Sequence, residues 1–396
     1  MRSLAIGIWA QAKARPRAVA AAGLLLAAAV GAGGWAVAGH HSQAPEVALT
    51  SLQTALHIRQ PPPPPAPAEL QARLDALAAA YHEPVGIAVV DVKDGWTAAV
   101  DGDSAYPQQS VSKLWVAMSV LDAVDHGGLA LDQAVVVTRD DRSVFYQPLG
   151  ERVGEKGFAT TLHDLLRRAL TESDNAANDK LMREVGGAGA VTDALAEKGL
   201  SHIAVGAYER ELQARTAGLE WRPEYAGWRF KEARSKLPDS VRDQALAAYL
   251  ADPPDGASPS AVAHALAALE RGDLLSKASS ETMLTLMGEA RTGRMRLRGG
   301  LPPGWKIAHK TGTGPDWRGA SVGINDVGLL TAPDGRVYAV AVMMRQTRKP
   351  VPQRLALMQA VTRAVADSWR ARNAAPGPGD GRQLATGPQV PADGGL

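Results

Sequence analysis

Ser110-Val111-Ser112-Lys113 sets a hydroxyl three residues before an amine, and in a helical turn that spacing brings both side chains to one face. A serine oxygen attacks a carbonyl only when something removes its proton. A lysine can do so when burial or neighbouring cations favour its neutral amine. Two further stretches carry groups of the same kind. Ser173-Asp174-Asn175 offers a hydroxyl, a carboxylate and an amide. Lys310-Thr311-Gly312 offers a second amine, able to meet a carboxylate, beside a glycine that admits close approach of backbone to a ligand. Each has a plainer reading: an exposed helical Ser and Lys, an N-cap for a helix starting near Asn175, a solvated strand lysine. A chain of this length holds roughly one S-x-x-K by chance, whereas each of the other two tripeptides arises in only about one such chain in twenty. Their joint appearance in this order outweighs the separate plain readings.

Hydrophobic periodicity places these groups on elements. Leu70, Leu74, Leu77 and Ala78 predict a helix over Ala68 to Tyr81. Val85 to Val92 and Trp96 to Val100 flank Lys93-Asp94-Gly95 and read as a hairpin. Leu114, Trp115, Met118 and Leu121 predict a helix over Val111 to Val124 that starts at the Ser-Lys pair and stops at Gly127-Gly128. Helices are further expected at Thr161 to Thr171, Asn175 to Val185, Val191 to Lys198, Val241 to Leu250, Ala261 to Arg271 and Ser279 to Gly288. Strands at Trp305 to Thr311, Ala320 to Leu330 and Arg336 to Met344, the last two joined across Pro333-Asp334-Gly335, precede a closing helix from Val351 to Arg372. Strands at both ends with helices between them imply an α+β fold: one antiparallel sheet built from the N- and C-terminal strands and flanked by helices, with a mostly helical middle.

A chain of 396 residues, 45% apolar and 21% charged, can bury a core and is not a fibre or a wholly disordered polymer. Forty-three Lys and Arg against 41 Asp and Glu leave a net charge of +2, which argues against a nucleic-acid partner. The absence of cysteine excludes disulfides, thiol catalysis and Cys-type zinc sites. His40-His41 lacks metal-site spacing and no H-E-x-x-H occurs, so neither metal nor cofactor is expected. Arg2, Lys13, Arg15 and Arg17 precede an uncharged run from Ala18 to Gly39 that ends in Ala36-Val37-Ala38. That pattern fits either a cleaved export signal or a retained inner-membrane anchor through 18–39, and with it a periplasmic location. Residues 40–68, with Pro61 through Pro65 in a row, read as an extended tether, and 374–396 as a disordered tail. The catalytic domain is then 69–373. No internal repeat is found.

The order S-x-x-K, S-D-N, K-T-G resembles the signature of class A serine β-lactamases and of penicillin-binding proteins. Tyr208-Glu209-Arg210-Glu211-Leu212-Gln213 is similar to the class A stretch W-E-P-E-L-N and stands at that family's usual distance after S-D-N, which favours class A over the transpeptidases. Phe145-Tyr146-Gln147-Pro148 resembles the segment that sets an aromatic at the site entrance, and Gly300-Leu301-Pro302-Pro303-Gly304-Trp305 the run into the K-T-G strand. The similarity covers about Ala68 to Arg372, one piece excepted.

The resemblance implies hydrolysis of a small-molecule β-lactam. Ser110 would be acylated, Lys113 would help take its proton, and Ser173 would pass a proton to the departing ring nitrogen. Backbone N–H groups of Ser110 and Thr313 would form the oxyanion hole. Asn175 would hold the substrate's side-chain amide beside Tyr146, and Lys310, Thr311 and Gly312 its carboxylate. Arg296, fourteen residues before Lys310, would be a second cation for that carboxylate or one solvated arginine of the Arg291 to Arg298 cluster. Glu209 would activate the water that clears the ester and Gln213 would position it. Glu209 otherwise reads as a surface carboxylate in a charged loop.

Several departures from the family pattern stand out. Ala207 occupies the place of an arginine that commonly pins the Glu209 loop, and Gln213 is one methylene longer than the usual Asn. His309 stands where an acidic residue commonly precedes the lysine. Residues from about 214 to 258, with Trp221, Arg222, Trp228 and Arg229, have no clear counterpart. They would enlarge the loop beside the site, bind a partner or simply extend the fold. Two rival functions stay open: a D-alanyl-D-alanine carboxypeptidase or penicillin-binding protein, and a non-catalytic β-lactam or peptidoglycan-binding module.

Overall fold

The structure, a computed structural model, describes residues 62–374 apart from Ser201. The expected leader at 1–39, the expected tether at 40–68 up to residue 61, and the expected tail at 374–396 from residue 375 lie outside the described residues. No helix among the described residues is long and apolar enough to cross a membrane.

Helix α1 (Ala68–Tyr81) leads into β1 (Val85–Asp91) and β2 (Thr97–Val100), the expected hairpin. At the other end stand β7 (Lys306–Gly312), the two-residue β8 (Asp316–Trp317), β9 (Ala320–Thr331), β10 (Val337–Thr347) and the closing helix α12 (Val351–Ala374). These strands form one antiparallel sheet in the order β2-β1-β10-β9-β7, with β8 on β9. Both ends of the folded chain thus meet in the pairing of β1 with β10, from Val85↔Met344 to Asp91↔Tyr338. This is the expected α+β fold.

Alternate residues of the central strands face two separate cores. Ile87, Val89, Val340, Val342 and Met344 pack against Leu70 and Leu74 of α1 and Met358, Val361 and Val365 of α12. Ala88, Val90, Ala339, Ala341 and Met343 face the helical middle. Burial on both faces explains why these strands read as near-continuous apolar runs. The centre of the second core is α2 (Lys113–Asp125), buried without a break from Lys113 to Leu121. A helix apolar on all sides has no solvent face to present, so it must be central.

Around α2 lie α3 (Pro148–Glu151), α4 (Leu162–Arg167), α5 (Asn175–Glu184), α6 (Ala188–Glu197), α7 (Glu209–Thr216), α8 (Arg229–Ser235), α9 (Asp239–Ala251), α10 (Pro259–Arg271) and α11 (Lys277–Gly288). The helix expected over Thr161 to Thr171 is interrupted: α4 gives way to a widened π turn at Arg168–Glu172, which ends at Ser173 with a left-handed backbone (φ 61°). Besides β8, four short strands have no counterpart among the expected elements. β4 (Ala134–Val137) pairs β5 (Phe158–Thr161), and β3 (Tyr106–Pro107) pairs β6 (Gly256–Ala257). Two residues, as in β3 and β6, or four, as in β4 and β5, are too few for a clear periodicity, and both pairings join residues far apart in sequence. The segment without a family counterpart supplies the end of α7, a 3-10 turn at Pro223–Tyr225, α8 and α9.

Candidate active site

Ser110 does not sit in an α-helix. Gln109–Ser112 form a 3-10 turn and α2 begins only at Lys113. In a 3-10 turn residues i and i+3 eclipse, so the tighter turn still pairs the two groups: Lys113 Nζ donates to Ser110 Oγ at 2.9 Å. The chain just before Ser110 is gripped from three directions. Asn325 of β9 donates to the carbonyls of Pro107 and Gln108 at 2.7 and 3.0 Å. Trp115 Nε1 donates to Gln108 Oε1 at 2.5 Å. Gln109, whose left-handed backbone (φ 51°) would otherwise be costly for a non-glycine residue, donates its N–H to the buried Asp255 at 2.7 Å. A nucleophile held this way cannot drift from its base.

Glu209 is the first residue of α7, where the helix dipole favours an anion, and it is 3% exposed. The surface-loop alternative is therefore overturned. Its carboxylate forms an ion pair with Lys113 Nζ, itself fully buried. One amine thus bridges the Ser110 hydroxyl and the Glu209 carboxylate. Asp179 of α5, a residue sequence reasoning passed over, fixes this helix start. It accepts from the N–H groups of Glu209 at 2.7 Å and Arg210 at 3.3 Å, and from Ser143 Oγ at 2.8 Å.

The loop that lacks an arginine at Ala207 is held at its far end as well. Tyr249 of α9 donates to Asp255 at 2.8 Å, and Gln109 Nε2 donates to Tyr249 Oη at 2.5 Å. Gln213 Nε2 donates to Gln109 Oε1 at 2.9 Å. A buried polar network of tyrosine, aspartate and two glutamines thus ties α7 and α9 to the nucleophile turn.

In Ser173-Asp174-Asn175 the capping and chemical readings divide by residue. Asp174 is the N-cap of α5, accepting from Ala177 N–H at 2.9 Å, and also takes Leu149 N–H at 2.6 Å. That leaves Ser173 free for Lys310, whose Nζ donates to Ser173 Oγ at 2.9 Å. Asn175 Nδ2 donates to the Val144 carbonyl at 3.4 Å, and Asn175 N–H to the Tyr146 carbonyl at 2.9 Å. Tyr146 is 45% exposed at the rim, edge-on to Phe145.

Lys310 is fully buried, and burial together with the charge of Lys113 pushes its amine well below the usual lysine range. Gly312 corrects an expectation. Its missing side chain makes room for the protein's own backbone, because a Cβ there would lie 2.3 Å from the Gln108 carbonyl oxygen. Arg296 is half-buried rather than solvated. It donates to the carbonyls of Gly312 and Asn325 at 2.8 and 2.6 Å and to Thr313 Oγ1 at 2.6 Å. His309 hydrogen-bonds the buried Asp326 at 2.8 Å, so an acidic group reaches this place from β9 instead.

A single cavity of about 990 Å³ collects these groups. Ser110, Ser173, Glu209 and Gln213 line it, as do Tyr146, Asn175, Arg296, Thr311 and Thr313. Lys113 and Lys310 stand just behind its wall, each bonded to one of its serines.

Burial and the charge of Glu209 push the Asp179 carboxyl up to about 7, against the pull of its hydrogen bonds. An unfolded aspartate titrates near 3.9, so between about pH 4 and pH 7 the folded protein binds a proton that the unfolded chain has lost. Stability therefore falls as pH rises through that window, by about 1.4 kcal/mol per unit for this group. Asp255, pushed up to about 6 by burial, acts in the same direction. In urea unfolding at about pH 5 and about pH 7.5, Asp179→Asn is expected to remove about 2–3 kcal/mol of that pH dependence. A slope equal to wild type would contradict the assignment.

Comparison with known proteins identifies the family to which this fold belongs. A family model described as the beta-lactamase enzyme family matches residues 69–369. The chain is similar to the beta-lactamase VEB-1 of Pseudomonas aeruginosa, 27% identical over 281 residues that cover 71% of this chain and 83% of the relative. It is 29% identical to the extended-spectrum beta-lactamase PER-1 of the same organism over 279 residues, covering 70% and 80%. Among solved structures, a beta-lactamase from Chitinophaga pinensis superposes with a TM-score of 0.62 at 28% identity, covering 76% of this chain and 99% of that one. An ancestral class A beta-lactamase gives 0.60 at 30%, covering 76% and 99%. A match that runs from the start of α1 almost to the end of α12 leads to one conclusion: the chain belongs to the beta-lactamase enzyme family, as a serine hydrolase of the class A type.

Proposed function

We propose that this enzyme hydrolyses β-lactams through an acyl-Ser110 intermediate that Glu209 clears. The observation that carries the proposal is the Lys113 amine joined at once to Ser110 Oγ and to the Glu209 carboxylate. Passing one proton from Nζ to that carboxylate discharges the buried pair and leaves a neutral amine able to accept the serine proton. Ser110 Oγ then attacks the lactam carbonyl carbon. Backbone N–H groups of Ser110 and Thr313 receive the developing oxyanion. As the carbonyl carbon–nitrogen bond breaks, Ser173 protonates the ring nitrogen and takes a proton from Lys310; Lys310 recovers it, through solvent in the cavity, from Glu209, which thereby returns to the carboxylate.

In the second half, Glu209 takes a proton from a water that attacks the ester carbonyl. The ester carbon–oxygen bond breaks, Lys113 returns a proton to Ser110 Oγ, and Glu209 passes the water proton to Lys113, restoring the starting pair. Gln213, its amide nitrogen engaged with Gln109, has its oxygen left to hold that water. Lys310, Thr311 and Arg296 receive the substrate carboxylate, Gly312 serving by letting β7 lie close. Asn175 and Tyr146 receive the acylamino side.

We further propose that the protein works in the periplasm. Support comes from the basic residues and apolar run before Gly39, acting as a cleaved signal or an inner-membrane anchor, with the Pro-rich stretch as tether. N-terminal sequencing of the mature protein separates the two.

The function is tested by mixing the protein with a chromogenic cephalosporin and following colour and intact mass together. Sustained colour with only transient adduct is expected. A single burst with a lasting adduct on Ser110 would overturn the proposal in favour of a peptidase, and neither signal would leave a binding module.

A further inference from the structure

The segment that follows α7 builds one wall of the cavity and puts two cations on it. Its own small core of Ala214, Ala217 and Phe230 with Val144, flanked by Trp221 and Tyr225, fastens it to the loop that carries Tyr146. Gly227 N–H donates to the Ser143 carbonyl at 3.0 Å, and Gly227 pairs with Val144 as a single bridge. Since Asn175 Nδ2 meets the same Val144 through its carbonyl, the wall continues directly from the place where Asn175 would hold a substrate amide. Trp228, 71% exposed, and Phe230, Lys231 and Arg234 of α8 all border the cavity that contains Ser110. Arg234 also borders an adjoining cleft beside Gln213. Arg222 and Arg229 are exposed, as Lys231 is, but border neither.

Charge pairing around the cavity leaves this wall uncompensated. The two carboxylates that line it among the described residues are both taken: Glu172 by Arg291 at 2.8 Å and Arg167 at 3.6 Å, Glu209 by Lys113. Among the described residues, Lys231 and Arg234 form no ion pair, although Lys236 and Arg318 nearby each do. Arg296 and Lys310 are already engaged, Arg296 with the Gly312 carbonyl of β7 and Lys310 with Ser173. The cavity therefore has two positive poles, and a substrate with a single carboxylate engages only the one at β7.

We propose that Lys231 and Arg234 form a second anion subsite, which selects β-lactams bearing an additional carboxylate on the acylamino side chain, with Trp228 and Phe230 covering the adjacent apolar part of that side chain. This inference rests on the β-lactam reading above and names the substrate class within it. Both cations are partly solvated, so the gain is moderate and screened by salt.

The test is a charge series on one scaffold: carbenicillin, benzylpenicillin and ampicillin, whose side chains carry a carboxylate, no charge and an ammonium. In the doubly substituted Lys231→Ala, Arg234→Ala protein, kcat/KM for carbenicillin is expected to fall about tenfold. Benzylpenicillin, which lacks the group these cations meet, changes by about twofold or less and reports that the site is folded, while ampicillin improves. Reversing the charges with Lys231→Glu, Arg234→Glu widens the separation, and added salt narrows it in the wild type only. An equal fall for all three substrates, or no change in any, would overturn the subsite while leaving lactam hydrolysis standing. A wild-type protein that turns over none of the three would overturn both.

Discussion

Glu209→Ala is expected to halt the enzyme after one acylation, releasing one equivalent of opened lactam per protein and then turning over at about 10⁻³ of the wild-type rate. The reason is the division of labour around Lys113. Its Nζ lies 2.9 Å from Ser110 Oγ, a contact that does not pass through Glu209, so the base for acylation stays within reach of the hydroxyl. Among the described residues, no other carboxylate lining the cavity is free to take over the water, because Glu172 is held by two arginines. The expected record is an intact-mass shift of the whole population by the mass of the lactam, persisting for many wild-type turnover times. Glu209→Gln, which keeps the shape of the side chain, is expected to accumulate the same adduct. That result separates lost base chemistry from lost packing at a residue only 3% exposed. Turnover equal to wild type in either variant would remove Glu209 from the mechanism.

Ser110→Ala is expected to lose turnover by at least about 10⁴-fold and to show no adduct at any time. The fold should hardly respond. The lost hydroxyl is one hydrogen-bond partner of Lys113, worth about 1 kcal/mol, while the ion pair to Glu209 and the grip of Asn325 and Asp255 on the preceding turn remain. Loss of chemistry with an unchanged unfolding midpoint would place the covalent step on this oxygen. An adduct in Ser110→Ala would move the nucleophile elsewhere. Taken together, the two variants bracket the ester: one never forms it and the other never leaves it.

The proposed second anion subsite adds a layer to this scheme. The reacting groups are held by buried contacts from α2, α5, α7 and β7, whereas Lys231 and Arg234 stand on a segment fastened by its own apolar cluster. A wall built separately from the catalytic groups can change its charge without disturbing them, which is why the two effects are separable by experiment.

The chemical inventory was already legible in the linear chain. Ser110 with Lys113, Ser173 to Asn175 and Lys310 to Gly312 are short, locally spaced groups, and a hydroxyl three residues from an amine comes together in any helical turn, 3-10 or α. The sheet was legible for a related reason. Strands such as Val85–Asp91 and Val337–Thr347 are long enough to show their apolar character, and their placement at the two chain ends implied one shared sheet. What lay beyond reach were contacts between residues far apart in sequence, each with nothing local to announce it. Asp179 beneath the start of α7, Tyr249 and Asp255 beneath Gln109, and Asn325 beneath Gln108 are ordinary polar residues until packing buries them. Glu209 looked equally like a surface charge, because burial is a property of neighbours rather than of residue type. Gly312 spares room for its own chain rather than for a ligand, a fact that only the approach of β7 to Gln108 reveals. Residue type and spacing told which groups could react. Tertiary packing decided which of them are desolvated, which charges are already paired, and hence which remain available to a substrate.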